Sequence, residues 1–146
     1  MNELTHVGFT GTRTGLTSRQ RHTLRIVLAE LHNDGAIWFH HGDCEGADEE
    51  AQEVAIALAY FIHVHPPDSD KFRADDRIYA LGARRDEPAP YMVRNQAIVD
   101  TCAILIACPN TTMRIGRSGT WSTVRKAGKK GIPRIIVYPD GTVERE

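Results

Sequence analysis

Short apolar runs alternate along this chain with longer segments in which apolar residues recur every three or four positions. A short apolar run is typical of a strand, and the three-to-four spacing is typical of an amphipathic helix. Strands that alternate with helices indicate βαβ units, whose right-handed crossovers place helices on both faces of a parallel sheet. The sequence therefore predicts a Rossmann-like, three-layer α/β/α fold with a mostly parallel sheet of about five strands. The predicted strands cover residues 6–10, 36–40, 61–65, 103–107 and 134–138.

Four helices are predicted between these strands. The first begins after Thr17, a good N-cap residue, and ends at the turn formed by 33–35. The others cover residues 47–58, 91–100 and 120–130. The segment 66–90 is too long for an ordinary connection and holds four prolines, so we expect an insertion there that acts as a lid or mobile loop, with a short helix over 75–81.

The composition is that of an ordinary globular protein. The 146 residues are 41% hydrophobic and 25% charged, which predicts a single domain over 1–146. Eighteen Lys and Arg against nineteen Asp and Glu give a net charge of -1, which argues against general attraction to nucleic acid or an acidic membrane. The chain has no membrane-length apolar stretch and no signal-like start, so we expect a cytoplasmic protein without a membrane partner.

Three turns rich in glycine or hydroxyl groups follow predicted strands. In an open parallel sheet, ligands bind beyond the carboxyl ends of the strands, where helix N-termini present N–H groups to anions. We therefore expect these turns to bind a phosphate-bearing ligand. Their candidate ligand-binding residues are Gly11, Thr12 and Arg13 in the first turn, Gly42, Asp43, Gly46, Ala47 and Asp48 in the second, and Ser118, Gly119 and Thr120 in the third.

A group of histidines, with one cysteine and one aspartate, raises the possibility of a metal site. Imidazole and thiolate groups bind zinc, and several lie near the ends of strands that should be neighbours. Neither the C-x-x-C nor the H-x-x-x-H spacing is present, so the sequence predicts no metal and no bound cofactor. The residues concerned are His40, His41, Asp43, Cys44, His63 and His65.

Several motifs resemble those of the SLOG superfamily, which unites DprA (Smf) proteins, LOG phosphoribohydrolases and YspA-like nucleotide-binding proteins. The similarity covers the Gly-Thr-Arg of the first turn, the Gly-Ala-Asp that ends the second, and the stretches 94–100, 103–107 and 117–121. On spacing alone, Arg94 and Asn95 would lie on a solvated helix face. The resemblance implies instead that Arg94 and Asn95 contact ligand.

The resemblance to LOG enzymes has one important departure. Their Pro-Gly-Gly-x-Gly-Thr-x-x-Glu motif carries an active-site glutamate, and Thr123 stands at that position here. Threonine neither stabilises an oxocarbenium ion nor activates water well, so LOG-type hydrolysis is in doubt. If the protein is an enzyme, Arg94 and Asp48 are its candidate catalytic residues, and Asp43 or Glu45 of the same turn could supply the carboxylate instead of Asp48.

Three functional hypotheses follow. The first is a protein that binds a nucleoside phosphate, ADP-ribose or an NAD-related ligand. The second is a nucleotide N-glycosidase or phosphoribohydrolase, and the third is a DprA-like binder of single-stranded DNA, which the low net charge does not favour.

The resemblance also implies a homo-oligomer, for which Met92, Val99, Trp121 and Val124 offer apolar surface. Trp121 has three interpretations: stacking on a base, a dimer contact, or ordinary helix packing. For Arg94, we expect a grip on phosphate and little structural role.

Overall fold

A computed structural model of the chain describes residues 5–69, 82–114, 116 and 118–146. It has a seven-stranded sheet and four helices within these residues, which confirms the Rossmann-like α/β prediction. Within the same residues, no helix combines the length and the apolar character that crossing a membrane requires. The predicted helix over 75–81 lies outside the described residues. The strands are β1 (His6–Gly11), β2 (Trp38–His41), β3 (Phe61–Val64), β4 (Arg84–Arg85), β5 (Ile104–Cys108), β6 (Arg134–Val137) and β7 (Val143–Arg145), and the helices are α1 (Ser18–Asn33), α2 (Ala47–Ala57), α3 (Tyr91–Thr101) and α4 (Gly119–Lys130).

The strand order is β4-β3-β2-β1-β5-β6-β7. All neighbouring pairs are parallel except β6 and β7, which are antiparallel. From the central strand β1, the chain first adds β2, β3 and β4 on one side of β1. It then returns and adds β5, β6 and β7 on the other side. The order therefore reverses between β1 and β5, and the loops after these two strands diverge to opposite faces, which opens the crevice where such sheets bind ligands.

Two apolar layers hold the helices against the sheet. Leu24 and Leu28 of α1 and Ala51 and Val54 of α2 are buried in the layer on one face. On the other face, α3 and α4 bury a smaller layer around Trp121. The two layers confirm the predicted helix pairing on both faces of the sheet.

Helix boundaries follow the predicted signals closely. Thr17 forms a complete capping box with Gln20, since the Thr17 side chain accepts from Gln20 N at 3.0 Å and the Gln20 side chain accepts from Thr17 N at 3.2 Å. Helix α4 ends at Gly131, whose left-handed backbone (φ of 80°) is the conformation that glycine adopts most easily.

The prediction that α3 and α4 expose a broad apolar surface is wrong in part. Val99, Trp121 and Val124 are each at most 1% exposed, because all three pack against the sheet. Ordinary helix packing is therefore the role of Trp121. Met92 remains exposed, beside Val93 on the same helix.

Candidate functional site

The first and second turns are joined through their backbones. Ala47 N, at the start of α2, donates to Thr12 O at 3.0 Å. Gly46 has a φ of 83°, and a Cβ at this position would overlap the backbone carbonyl of Arg13. A glycine is required here both for the conformation and for the close approach of the two turns. The turn after β1 is thus packed directly on the N-terminus of α2.

The first turn is also tied to the end of β5. Thr12 N donates to Cys108 O at 3.2 Å, which places the turn over the junction between β1 and β5. Arg13 and Thr14 are exposed at its tip, and Thr12 Oγ1 lies 3.0 Å from Thr14 Oγ1. The predicted residues of this turn therefore lie at the carboxyl edge of the sheet, beside the crevice.

The second turn is held by a buried carboxylate. Asp48 is 6% exposed, and its Oδ2 accepts from Gly42 N at 3.2 Å and from Cys44 N at 3.1 Å. Burial raises the pKa of Asp48, while His41, Arg94 and the two N–H groups oppose that rise. Asp48 thus closes the turn that begins α2, and its bonds to the backbone are structural.

Asp43 occupies the centre of the same turn. The residue is fully buried, with a φ of 60° that is uncommon for a side chain other than glycine and tolerated best by Asn and Asp. Its N–H donates to His41 Nδ1 at 3.0 Å, and His41 Nε2 lies 2.7 Å from Gln52 Oε1. The turn is therefore anchored from β2 as well as from α2.

Arg94 reaches into the second turn from α3. Its Nη1 donates to Gly42 O and, at 3.3 Å, to His65 O, and its Nη2 lies 3.7 Å from Cys44 Sγ. Its Nε donates to Asn95 Oδ1 at 2.7 Å. Arg94 is only 6% exposed, so the expectation that it has little structural role is wrong. Its guanidinium therefore links α3 to the loops after β2 and β3 through these two backbone carbonyls.

Spacing alone favoured a solvated face for Arg94 because the sequence does not show which loops α3 meets. The apolar pattern of α3 is the same whether the guanidinium of Arg94 is exposed or buried. Gly42 and Arg94 also fit together sterically, since a Cβ at Gly42 would collide with the guanidinium. Contact of Arg94 or Asn95 with a ligand stays a prediction.

The third turn has a different character from the other two. Ser118 caps α4, and its side chain accepts from Trp121 N at 3.4 Å. The next N–H groups, those of Gly119 and Thr120, have no partner inside the helix because they belong to its first turn. Gly119 is exposed, a Cβ there would meet none of the described residues within 4 Å, and the first turn of α4 holds no acidic residue. This helix start is open to an anion.

Thr123 has a structural partner in α4. It is fully buried, and its hydroxyl donates to Gly119 O at 2.9 Å. The position at which LOG enzymes carry their glutamate therefore holds a side chain that bonds the helix backbone. Thr123 provides no carboxylate, as the sequence already indicated.

A histidine cluster lies on the sheet face that α3 and α4 cover only in part. His40 Nδ1 lies 2.8 Å from His65 Nε2, and His40 Nε2 lies 2.8 Å from His6 Nδ1. Burial, together with the neighbouring histidines, lowers the pKa of His40 to about 2 and that of His65 to about 4. Both rings are therefore neutral near pH 7. The sequence signal for this cluster is the His-x-His pattern at 63–65, which puts two rings on one face of a strand.

No protein-family model and no curated protein matches this sequence. Solved structures share its fold, and one is a molybdenum cofactor binding protein from Rippkaea orientalis, 21% identical over 91% of this chain and 76% of the other, with a TM-score of 0.68. Another is the molybdenum cofactor carrier protein of Chlamydomonas reinhardtii, 17% identical over 90% and 74% of the two chains, with a TM-score of 0.62.

A third solved structure is the DNA processing protein DprA from Streptococcus pneumoniae. It is 19% identical over 90% of this chain and has a TM-score of 0.66, and this chain spans about half of it (49%). At these identities the likenesses show the fold alone. The fold is shared with a DprA protein, as the SLOG resemblance implied, and the YspA-like branch stays a prediction.

Proposed function

We propose that the protein binds a nucleotide or nucleotide-derived ligand across the crevice between the loops after β1 and β5. The observation that carries the proposal is the open start of α4, where Gly119 and Thr120 present N–H groups that the helix itself does not use. The first turn, with Thr12 and Arg13, follows β1, and β1 is paired with β5. A phosphate on α4 would leave the rest of the ligand to extend along the carboxyl edge.

The polarity of the two helix starts supports this orientation. Helix α2 has Asp48, Glu49 and Glu50 in its first turn, which repel an anion, whereas the first turn of α4 has no acidic residue. We therefore assign the phosphate to α4. The second turn is left for neutral parts of the ligand, such as sugar hydroxyls.

Similarity to structures named for the molybdenum cofactor adds a specific ligand to test. Two of the matching structures are proteins that bind or carry this cofactor. We infer that the molybdenum cofactor is the second candidate ligand, and that it would use the same edge of the sheet.

Calorimetric titration with AMP, CMP, ADP-ribose, NAD and the molybdenum cofactor tests the proposal. Saturable binding of one of these at a 1:1 ratio per chain is the expected result. Chromatography of the same mixtures reports whether free base is released, which would make the protein a hydrolase. If none of them binds and only single-stranded DNA does, with a steep salt dependence, the proposal is wrong and the DprA-like hypothesis takes its place.

A further inference from the structure

Three histidines from two adjacent strands meet on one face of the sheet. The register of β2 and β3 puts His40 beside His63, and His65 follows on the same face two residues later. One ring nitrogen from each of the three lies within 4.8 Å of the other two. His40 and His65 are buried, and His63 is partly exposed. Neutral imidazoles are typical ligands of zinc, copper and nickel ions.

A second layer of polar groups orients these rings. Asp86, just after β4, contacts His63 Nε2 through Oδ1 at 2.8 Å and His65 Nδ1 through Oδ2 at 2.9 Å. His6 contacts His40 Nε2 on the far side. Histidines that bind metals usually have their second nitrogen held by a carboxylate or another polar group, which fixes the ring and strengthens the ligand. The second nitrogens of His40 and His63 are held in this way.

From this arrangement we propose that His40, His63 and His65 bind one divalent transition-metal ion of the zinc class. The ion would replace the proton that His40 Nδ1 and His65 Nε2 share at 2.8 Å. Zinc–nitrogen bonds of about 2.0–2.1 Å in a tetrahedral site separate two ligands by about 3.3 Å, so these two nitrogens need to move apart by about half an ångström. The His63 nitrogen, which lies within 4.8 Å of them, needs to approach by up to about 1.5 Å, and its partly exposed ring is free to turn toward the ion.

A cavity lies at one edge of the cluster, on the side of His65 and Asp86. Its volume is about 80 Å³, and Glu87 and Arg94 line it as well. The carboxylates of Asp86 and Glu87 offset the positive charges of the ion and of Arg94. Three imidazoles with an open fourth position is the ligand set of zinc sites that bind water or substrate.

This inference goes beyond the proposed ligand-binding function and does not depend on it. The probe is therefore zinc alone, added without nucleotide to protein that carries no affinity tag and has been dialysed against chelator. Calorimetry is expected to show one ion per chain. Cobalt(II) in place of zinc should give the strong visible absorption of a tetrahedral site, and a weak aqueous-like spectrum would contradict it.

Matched variants connect the binding to the cluster. His63→Ala should weaken zinc binding at least tenfold, and Asp86→Asn should weaken it about tenfold through the orienting carboxylate. His22→Ala is the control, because His22 is an exposed residue of α1 on the opposite face of the sheet; its affinity should be unchanged.

The proposal is overturned if wild-type protein shows no saturable zinc binding, or if His63→Ala binds as tightly as wild type. The cluster would then be a hydrogen-bond relay from His6 to Asp86. Should His63→Ala fail to fold, His63→Gln and the cobalt spectrum of the wild type decide between the same two outcomes.

Discussion

The N-termini of α2 and α4 follow turns of similar composition, yet the two turns have different surroundings in the structure. At α2, Asp48 accepts hydrogen bonds from two backbone N–H groups, and Arg94 donates one to the carbonyl of Gly42. Gly46 packs against the first turn. At α4, a Cβ on Gly119 would come within 4 Å of no residue in the described part of the chain. A glycine-rich turn before a helix therefore has two different uses: close packing of loops at α2, and access to backbone donors at α4.

The largest expected effect is at Gly46. Gly46→Val should lower the free energy of unfolding by about 4 kcal/mol, because it combines a strained positive φ with overlap of the Arg13 backbone. Gly131→Val is the matched control, since Gly131 has a φ of 80° and no neighbour within 4 Å of a Cβ. Urea unfolding should show a clearly smaller loss for Gly131→Val. Equal losses would mean that the two turns are not tightly packed.

Arg94→Ala is expected to destabilise the protein by about 3 kcal/mol. It leaves buried carbonyl acceptors at Gly42 and His65 without their donor. Arg125→Ala, which removes an exposed arginine that also donates to a carbonyl, should cost less than about 0.5 kcal/mol. If the melting temperature of Arg94→Ala matches that of the wild type, the guanidinium of Arg94 does not stabilise the second turn.

Asp48→Asn should change the free energy of unfolding by about 1 kcal/mol, and the size of this change should depend on pH. Burial makes the pKa of Asp48 higher in the folded chain than in the unfolded chain, so the folded state binds the proton more tightly. Wild-type stability relative to Asp48→Asn is therefore greatest at low pH and falls as the pH rises above about 4 through the raised pKa. Urea unfolding across this range measures the difference, and a flat difference would contradict the shift.

Gly119→Val is expected to have the smallest effect on folding, below about 1 kcal/mol, because its Cβ enters open space. It should nevertheless abolish binding of any nucleotide found by titration, since the branched side chain blocks approach to the helix donors. Gly116→Val, also in open space but outside the helix, is the control and should bind normally. Unchanged affinity in folded Gly119→Val would remove the phosphate from α4.

Much of the fold was predictable because its signals are local. Apolar runs identified β1, β2, β3, β5 and β6, and Thr17 and Gly131 marked helix ends correctly. The two remaining strands were missed for physical reasons. Strand β4 has only the two arginines Arg84 and Arg85, and β7 is exposed along its whole length, so neither has an apolar pattern.

The site was less predictable because its contacts are distant in sequence. Turn chemistry located Gly46 and Gly119 but did not show that one is packed and the other open. The bond from Arg94 to Gly42 spans 52 positions, and only the docking of α3 on the loop after β2 reveals it. The histidines lack the C-x-x-C and H-x-x-x-H spacings that mark local metal motifs in a sequence. Their rings are brought together by the register of β2 and β3, which the sequence does not display.

The outermost strands of the sheet bear on how the protein avoids aggregation. A free sheet edge offers unpaired backbone groups to any passing strand, and proteins protect such edges with short strands and charged side chains. Here one border is β4, which has only two residues, both of them arginines. The other border is β7, which carries one negative and one positive side chain, Glu144 and Arg145. Both borders are therefore poor templates for further strand pairing.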